Sequence, residues 1–281
     1  MTMTDVSSSA VRQMSARAVD GCEIHFDLHT SAAPDAPRIV LIHALAMAAP
    51  QWNELVQELR DTCHLLTVDC RGHGRSEKRP GPYTCDLFAD DLACVLDEAG
   101  WPSAIVAGCS MGGCVAQAFG LRHPTRTDGL VLIDTTASYG RDAMPKWAER
   151  AQRAATQGMA ALVDFQLDRW FTEMFRAEQP AAVQRCLDIF LANDPACYGA
   201  TCDMLAKADL RAQLGTLACP TAVIVGEEDY ATPVAMAQDI AARITGAKLT
   251  ILPQARHFSP VERPRAIAED VLWVARQASR I

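Results

Sequence analysis

Gly108-Cys109-Ser110-Met111-Gly112 is the stretch whose reading decides the fold, because its Gly-x-Ser-x-Gly form sets a serine on a sharp turn from strand to helix. The flanks supply the context that this turn requires. Ser103-Ala104-Ile105-Val106-Ala107 is an apolar run of strand length, and Gly113, Cys114, Val115, Ala116, Ala118 and Phe119 read as a helix. So tight a turn puts the serine in a strained backbone conformation. Glycines two positions to either side remove the Cβ atoms that would meet neighbouring backbone. The Ser110 hydroxyl then projects above a sheet, and the first turn of the helix offers N–H groups to negative charge developing beside it.

Working outward from that turn, strands and helices alternate. Residues 15–19 and 22–28 flank Asp20-Gly21, a pair favoured in two-residue hairpin turns, so the domain opens with an antiparallel pair at a sheet edge. Residues 38–42 form a buried strand that leads into His43-Ala44-Leu45-Ala46-Met47, followed by a helix over 51–59 and a strand over 64–68. Over 84–99 the apolar residues Leu87, Phe88, Leu92, Val95, Leu96 and Ala99 share one helical face, with Gly100 where a C-terminal cap belongs. Another strand over 129–133 ends at Asp134. From about 138 to 214 the pattern is helical throughout, rich in Ala, Gln, Arg and Met. The alternation then resumes, with strands over 221–225 and 247–252 and helices over 234–244 and 264–280. The fold class is α/β, a mostly parallel twisted sheet flanked by helices. Its parts are a flexible tail over 1–14, a core over 15–137 and 215–281, and an inserted helical cap over 138–214. The cap covers the C-terminal edge of the sheet, where open α/β sheets bind ligands.

Length and composition agree with this. The chain has 281 residues, 49% of them apolar and 21% charged, enough to bury a sizeable core. Its net charge of −8 argues against nucleic acid or an anionic membrane as partner, since both need clustered Lys and Arg. Eleven cysteines, an odd number without a Cys-x-x-Cys pair, read as reduced thiols of a cytoplasmic protein rather than a disulfide or zinc framework. The first fourteen residues lack the apolar segment of a signal peptide, and no run of eighteen apolar residues could cross a membrane.

A serine hydroxyl is a weak nucleophile until a base removes its proton, so Ser110 needs a histidine and a carboxylate to orient it. His25, His29, His64 and His123 sit in or at the ends of elements and read as structural. His43 and His73 stand in loops that could line the site, but precede every candidate carboxylate. His257 lies in a loop directly after the last strand, at the sheet edge where Ser110 also sits. Asp229, in Gly226-Glu227-Glu228-Asp229, and Asp134 both follow strands; Asp229 is preferred because its loop adjoins that of His257. The expected set is Ser110, Asp229 and His257. The backbone N–H groups of Met111 and Leu45 are the expected donors to an oxyanion. No metal or organic cofactor is called for.

With the elbow, the Asp69-Cys70-Arg71-Gly72-His73-Gly74-Arg75-Ser76 loop, Gly226 to Asp229 and His257 placed, the chain resembles the α/β-hydrolase family from about Ser15 to its C-terminus. More narrowly it is similar to the 3-oxoadipate enol-lactonases of bacterial aromatic degradation. That likeness rests on the same loop followed by Gly81-Pro82-Tyr83, on Cys109-Ser110-Met111-Gly112-Gly113 and on Leu130-Val131-Leu132-Ile133-Asp134-Thr135-Thr136-Ala137. Lys146-Trp147-Ala148-Glu149-Arg150 and Arg169-Trp170-Phe171-Thr172 add to it. Two departures stand out: His43-Ala44-Leu45-Ala46 replaces the usual Asn-Ser-Leu-Gly, and Cys109 stands where leucine or histidine is common. The resemblance implies a substrate with a carboxylate beside a lactone ring, met by Arg150 or Lys146 beside Trp147, and the expected reaction is attack of Ser110 on a lactone or ester carbonyl. Alternatives on the same three residues are a carboxylesterase, a cofactor-free perhydrolase of the haloperoxidase type and a C–C bond hydrolase; a non-catalytic receptor on this scaffold is the alternative from another class.

Overall fold

The structure, a computed structural model, describes residues 11–279. Its strands are β1 (Val11–Arg17), β2 (Glu23–His29), β3 (Arg38–Ile42), β4 (His64–Val68), β5 (Ala104–Cys109), β6 (Thr127–Ile133), β7 (Thr221–Gly226) and β8 (Lys248–Leu252). They form one sheet in the order β1-β2-β4-β3-β5-β6-β7-β8. The pairings β1–β2 and β2–β4 are antiparallel; every later pairing is parallel. The central strands explain themselves by burial. All six residues of β5 and all six of β7 are buried, as continuous apolar runs must be in strands covered on both faces.

Helices α1 (Asn53–Leu59), α2 (Cys85–Glu98) and α3 (Met111–Arg122) alternate with the first parallel strands. The Thr84 hydroxyl caps α2 by accepting from the Leu87 N–H, and α2 buries Phe88, Leu92, Val95 and Leu96 on one face. Between β6 and β7 come α4 (Ala143–Gln157), α5 (Val163–Trp170), α6 (Glu173–Glu178), α7 (Pro180–Leu191) and α8 (Pro195–Lys207), without a strand among the described residues. Helices α9 (Val234–Arg243), α10 (Ser259–Glu262) and α11 (Pro264–Ala278) complete the chain.

Two expectations change at the N-terminal edge. Residues 1–10 of the expected tail lie outside the described residues, but 11–14 belong to β1, paired with β2 from Val11↔His29 onward. Backbone pairing holds these residues, a signal that their largely exposed side chains do not carry. The hairpin loop is also longer than the Asp20-Gly21 dipeptide suggests. Ala18 donates its N–H to Cys22 O at 2.9 Å, leaving Val19, Asp20 and Gly21 as a three-residue loop with Gly21 at φ +85°.

The loop after β4 braces the one after β3. Asp69 Oδ1 accepts from Ala49 N at 2.6 Å, and its Oδ2 accepts from Arg75 N at 3.0 Å and Arg75 Nε at 2.8 Å. Burial works against ionisation of Asp69, but these N–H groups outweigh it and hold the carboxyl below its usual 3.8. A pKa depressed by folding adds stability above the unfolded value, and that stability is lost as pH falls through the folded value. Asp69→Asn is therefore expected to cost about 2–3 kcal/mol near neutral pH. Thermal melts should show the gap to wild type narrowing once the pH drops below 3.8. A pH-independent gap would assign the cost to packing alone.

Candidate active site

The turn from β5 into α3 holds Ser110 at φ 54° and ψ −112°, left-handed backbone that a non-glycine residue adopts only under constraint. The constraint is close packing. A Cβ on Gly108 would lie 2.1 Å from Gly112 O, and one on Gly112 only 2.0 Å from Ile42 O, so neither position admits a side chain. Thr135 Oγ1 fixes the turn from the other side by donating to Ser110 O at 2.6 Å.

His257 arrives from the loop after β8, and its Nε2 lies 2.9 Å from Ser110 Oγ. Its Nδ1 lies 2.8 Å from Asp229 Oδ2, in the loop after β7. Asp229 is itself held. Oδ1 accepts from Ala231 N at 2.7 Å and Thr232 N at 2.9 Å, while Oδ2 accepts from Thr232 Oγ1 at 2.8 Å. Burial opposes its charge, yet His257 and the Thr232 donors keep its pKa below the ordinary aspartate value. A carboxylate fixed at Nδ1 keeps a proton there and leaves Nε2 free to accept one from the hydroxyl.

Asp134, the other carboxyl considered, is fully buried and does not bond the imidazole among the described residues. It accepts from Gly226 N and Ser259 N, each at 3.0 Å, tying the start of the Asp229 loop to the residue two beyond His257. Burial and the neighbouring charge of Asp229 push its pKa well up, against those two N–H groups.

His43 and His73, expected as possible site-lining residues, do not line the cavity. His43 Nε2 accepts from Cys70 N at 3.0 Å, which leaves Nδ1 to donate to Ala44 O at 2.7 Å. Because the peptide is planar and trans, anchoring Ala44 O aims the Leu45 N–H the opposite way. Gln51 Oε1, accepting from Ala44 N at 2.8 Å, and Asn193 Nδ2, donating to Ala46 O at 2.8 Å, hold the same loop. Neither Leu45 N nor Met111 N has an acceptor among the described residues.

Above Ser110 opens a cavity of about 570 Å³, bordered by Leu45 and His257 on the sheet side and by α4 and α5 on the other. Trp147, Arg150 and Lys146 line it as expected positions, and so do three that sequence reading did not single out as site residues: Tyr139, Arg153 and Arg169. Arg150 lies over the Trp147 ring at 4.5 Å and Arg169 over Phe165 at 4.7 Å. Neither Lys146, Arg150, Arg153 nor Arg169 forms an ion pair among the described residues; Arg169 Nη2 instead donates to Tyr230 O at 2.9 Å. Burial, then the charge of Arg150, lowers the pKa of Arg169, against the opposing charge of Asp229. Glu149 is the acidic side chain among the lining residues.

The inserted helices are fastened to the histidine loop. His257 N donates to Arg169 O at 3.3 Å and Phe258 N to Trp170 O at 3.0 Å, while the Trp170 and Phe258 rings stack at 4.8 Å. Glu262 adds a buried carboxylate that accepts from Thr172 N at 2.6 Å and from Arg256 N, just before His257, at 2.7 Å.

A family profile of the alpha/beta hydrolase fold matches residues 37–264, a span holding all of these residues. The chain belongs to the α/β-hydrolase family. Among individual relatives of this α/β hydrolase, 3-oxoadipate enol-lactonase 2 of Acinetobacter baylyi is 30% identical over 244 residues, covering 87% of this chain and 90% of that one. The crystal structure of the enol-lactonase from Burkholderia xenovorans LB400 superposes with a TM-score of 0.88 at 32% identity, covering 94% of this chain and all of that one. A thermophilic esterase from Thermogutta terrifontis, solved with malate bound, superposes at 0.87 with 26% identity over 95% of this chain and 99% of that one. Among the described residues of this hydrolase, no helix is long and apolar enough to cross a membrane, and no cluster of His, Cys, Asp or Glu is placed to hold a metal ion.

Proposed function

We propose that this hydrolase cleaves a carboxylate-bearing lactone or ester through an acyl-enzyme on Ser110, with opening of a 3-oxoadipate enol-lactone type of ring as the leading case. One observation carries the reading: the Ser110–His257–Asp229 hydrogen-bond chain lies at the floor of a cavity whose four cations form no ion pair among the described residues. His257 Nε2 takes the Ser110 proton as Oγ attacks the carbonyl, and Asp229 steadies the imidazolium that forms. The Leu45 and Met111 N–H groups, both without acceptors among the described residues, receive the oxyanion. The C–O bond to the leaving oxygen then breaks, His257 returns the proton to that oxygen, and water releases the acyl group by the same steps. Trp147 and Arg150 would bind the substrate. In a chain of net charge −8, unpaired cations focused in one cleft raise the local concentration of an anionic substrate. The enol-lactonase relatives and the malate-bound esterase support both parts of this reading.

A second reading, an esterase for larger substrates, is favoured by the cavity, whose 570 Å³ falls among sites that take drug-sized ligands. Purified protein assayed against matched esters and lactones, with and without a terminal carboxylate, tests both. Carboxylate-bearing members are expected to react with kcat/KM about tenfold or more above their neutral counterparts, as one charge-assisted hydrogen bond would give, and intact mass should show acyl-Ser110 in single turnovers. Equal rates for charged and neutral members would favour the esterase. Absence of any Ser110 adduct would end the proposal.

A further inference from the structure

Tyr139 is a polar group on the cavity wall that the mechanism above leaves without work. It belongs to the segment after β6, which is rigid at both ends. Thr135 Oγ1 is bonded to Ser110 O, Leu210 N donates to Ala137 O at 2.9 Å, and Ser138 makes a bridge to Asp209. The ring is held edge-on by Trp147, with centroids 5.1 Å apart at 85°. Tyr139 and Ser110 line the same cavity, and no carbonyl or carboxylate accepts from the hydroxyl among the described residues.

Topology fixes what such a hydroxyl can touch. In the sheet, β5 with the nucleophile runs between β3 and β6. The Leu45 loop follows β3, so an oxyanion received by Leu45 points to that side. Tyr139 follows β6 and stands across Ser110 from it. A phenol there does not share the oxyanion's donors and instead meets a substituent on the opposite side of the tetrahedral carbon.

Resting on the serine-hydrolase reading, we infer that Tyr139 is a further catalytic residue whose phenol donates a hydrogen bond to the leaving oxygen, fitting the site to alkyl esters and saturated lactones as well as to enol esters. The phenol keeps its own proton throughout. As the acyl C–O bond breaks, its electron pair moves onto the leaving oxygen; Tyr139 stabilises that charge, and the proton that Oγ lost arrives from His257 Nε2. Burial raises the phenol's pKa well above its usual 10, so the group remains a donor across the working range. An enolate or aryloxide leaves unaided, whereas an alkoxide is basic enough to need this help.

The test is a leaving-group series on one acyl group, from p-nitrophenyl through phenyl and trifluoroethyl to methyl, run with wild type and Tyr139→Phe. Loss of one donor to a charge-bearing oxygen is expected to lower kcat/KM about 100-fold for the methyl ester and under about threefold for the p-nitrophenyl ester, steepening the dependence on leaving-group basicity. An equal loss at every member, or none, overturns the inference and assigns Tyr139 to acyl-group packing. The melting temperature of the variant, and its retained labelling by a fluorophosphonate, separate a role in chemistry from a collapsed wall. A wild type that takes no label removes the serine-hydrolase reading and the role of Tyr139 with it. A wild type that labels, with a flat Tyr139→Phe series, removes the role of Tyr139 alone.

Discussion

Ser110→Ala is expected to lower kcat by about five to six orders of magnitude, the size of loss seen when one member of a nucleophile–base pair is removed and only oxyanion donors and binding remain. The fold should hardly notice. Alanine keeps the Cβ that already sits at φ 54°, so the backbone strain of the turn is unchanged. What is lost is one hydrogen bond, to His257 at 2.9 Å, worth about 1 kcal/mol and a Tm shift of about 2–4 °C. Steady-state turnover of any confirmed substrate, with a parallel melt, checks both statements. Turnover within tenfold of wild type would end the proposed mechanism, because Ser110 Oγ is the hydroxyl placed on His257 Nε2, whereas that of Thr232 is committed to Asp229.

The elbow was legible in the sequence because its geometry leaves so few residue types. Backbone approaches of about 2 Å to a hypothetical Cβ at Gly108 and Gly112 forbid any side chain, and that steric fact is written as two glycines at fixed spacing. The strand-end positions of Ser110, Asp229 and His257 were legible for a related reason. Each follows a strand, wholly buried and largely apolar in β5 and β7 and buried only at Leu252 in β8, and parallel strands deliver all their C-terminal ends to one edge of the sheet. Tyr139, Arg153 and Arg169 carried no such signal. They meet because α4 and α5 fold back over that edge, with Arg169 and Trp170 bonded to the backbone of His257 and Phe258. Such contacts depend on tertiary packing between segments distant in sequence, and a helical pattern does not say which face looks into a cavity.

The histidines teach the complementary lesson. Position after a strand made His43 and His73 candidates to line the site, but loop position says nothing about ring direction. Both rings turn inward, where burial lowers their basicity, that of His73 to about 3. His43 still bears on the site through the Ala44 carbonyl it holds, an effect visible only once the Cys70 N–H is seen to fix its tautomer.

Asp229→Asn and Asp134→Asn should separate the two carboxyls that follow strands near His257. In Asp229→Asn the amide has little choice of orientation. Ala231 N and Thr232 N donate to the Oδ1 position, so the amide oxygen takes that place and the NH2 group falls where Oδ2 faced His257 Nδ1 at 2.8 Å. A donor there obliges Nδ1 to accept, which moves the imidazole proton to Nε2, the nitrogen that must be free to take the Ser110 proton. The wrong tautomer is expected to cost about 10⁴ in kcat with little change in KM. Among the described residues Asp134 accepts from backbone, at Gly226 N and Ser259 N. Its replacement leaves one of those donors without an acceptor and should cost about 1–3 kcal/mol of stability, with kcat within about tenfold of wild type. Were Asp134→Asn to abolish turnover at unchanged stability while Asp229→Asn did not, Asp134 would be the group that orients His257, and the loop after β7 would be a scaffold only.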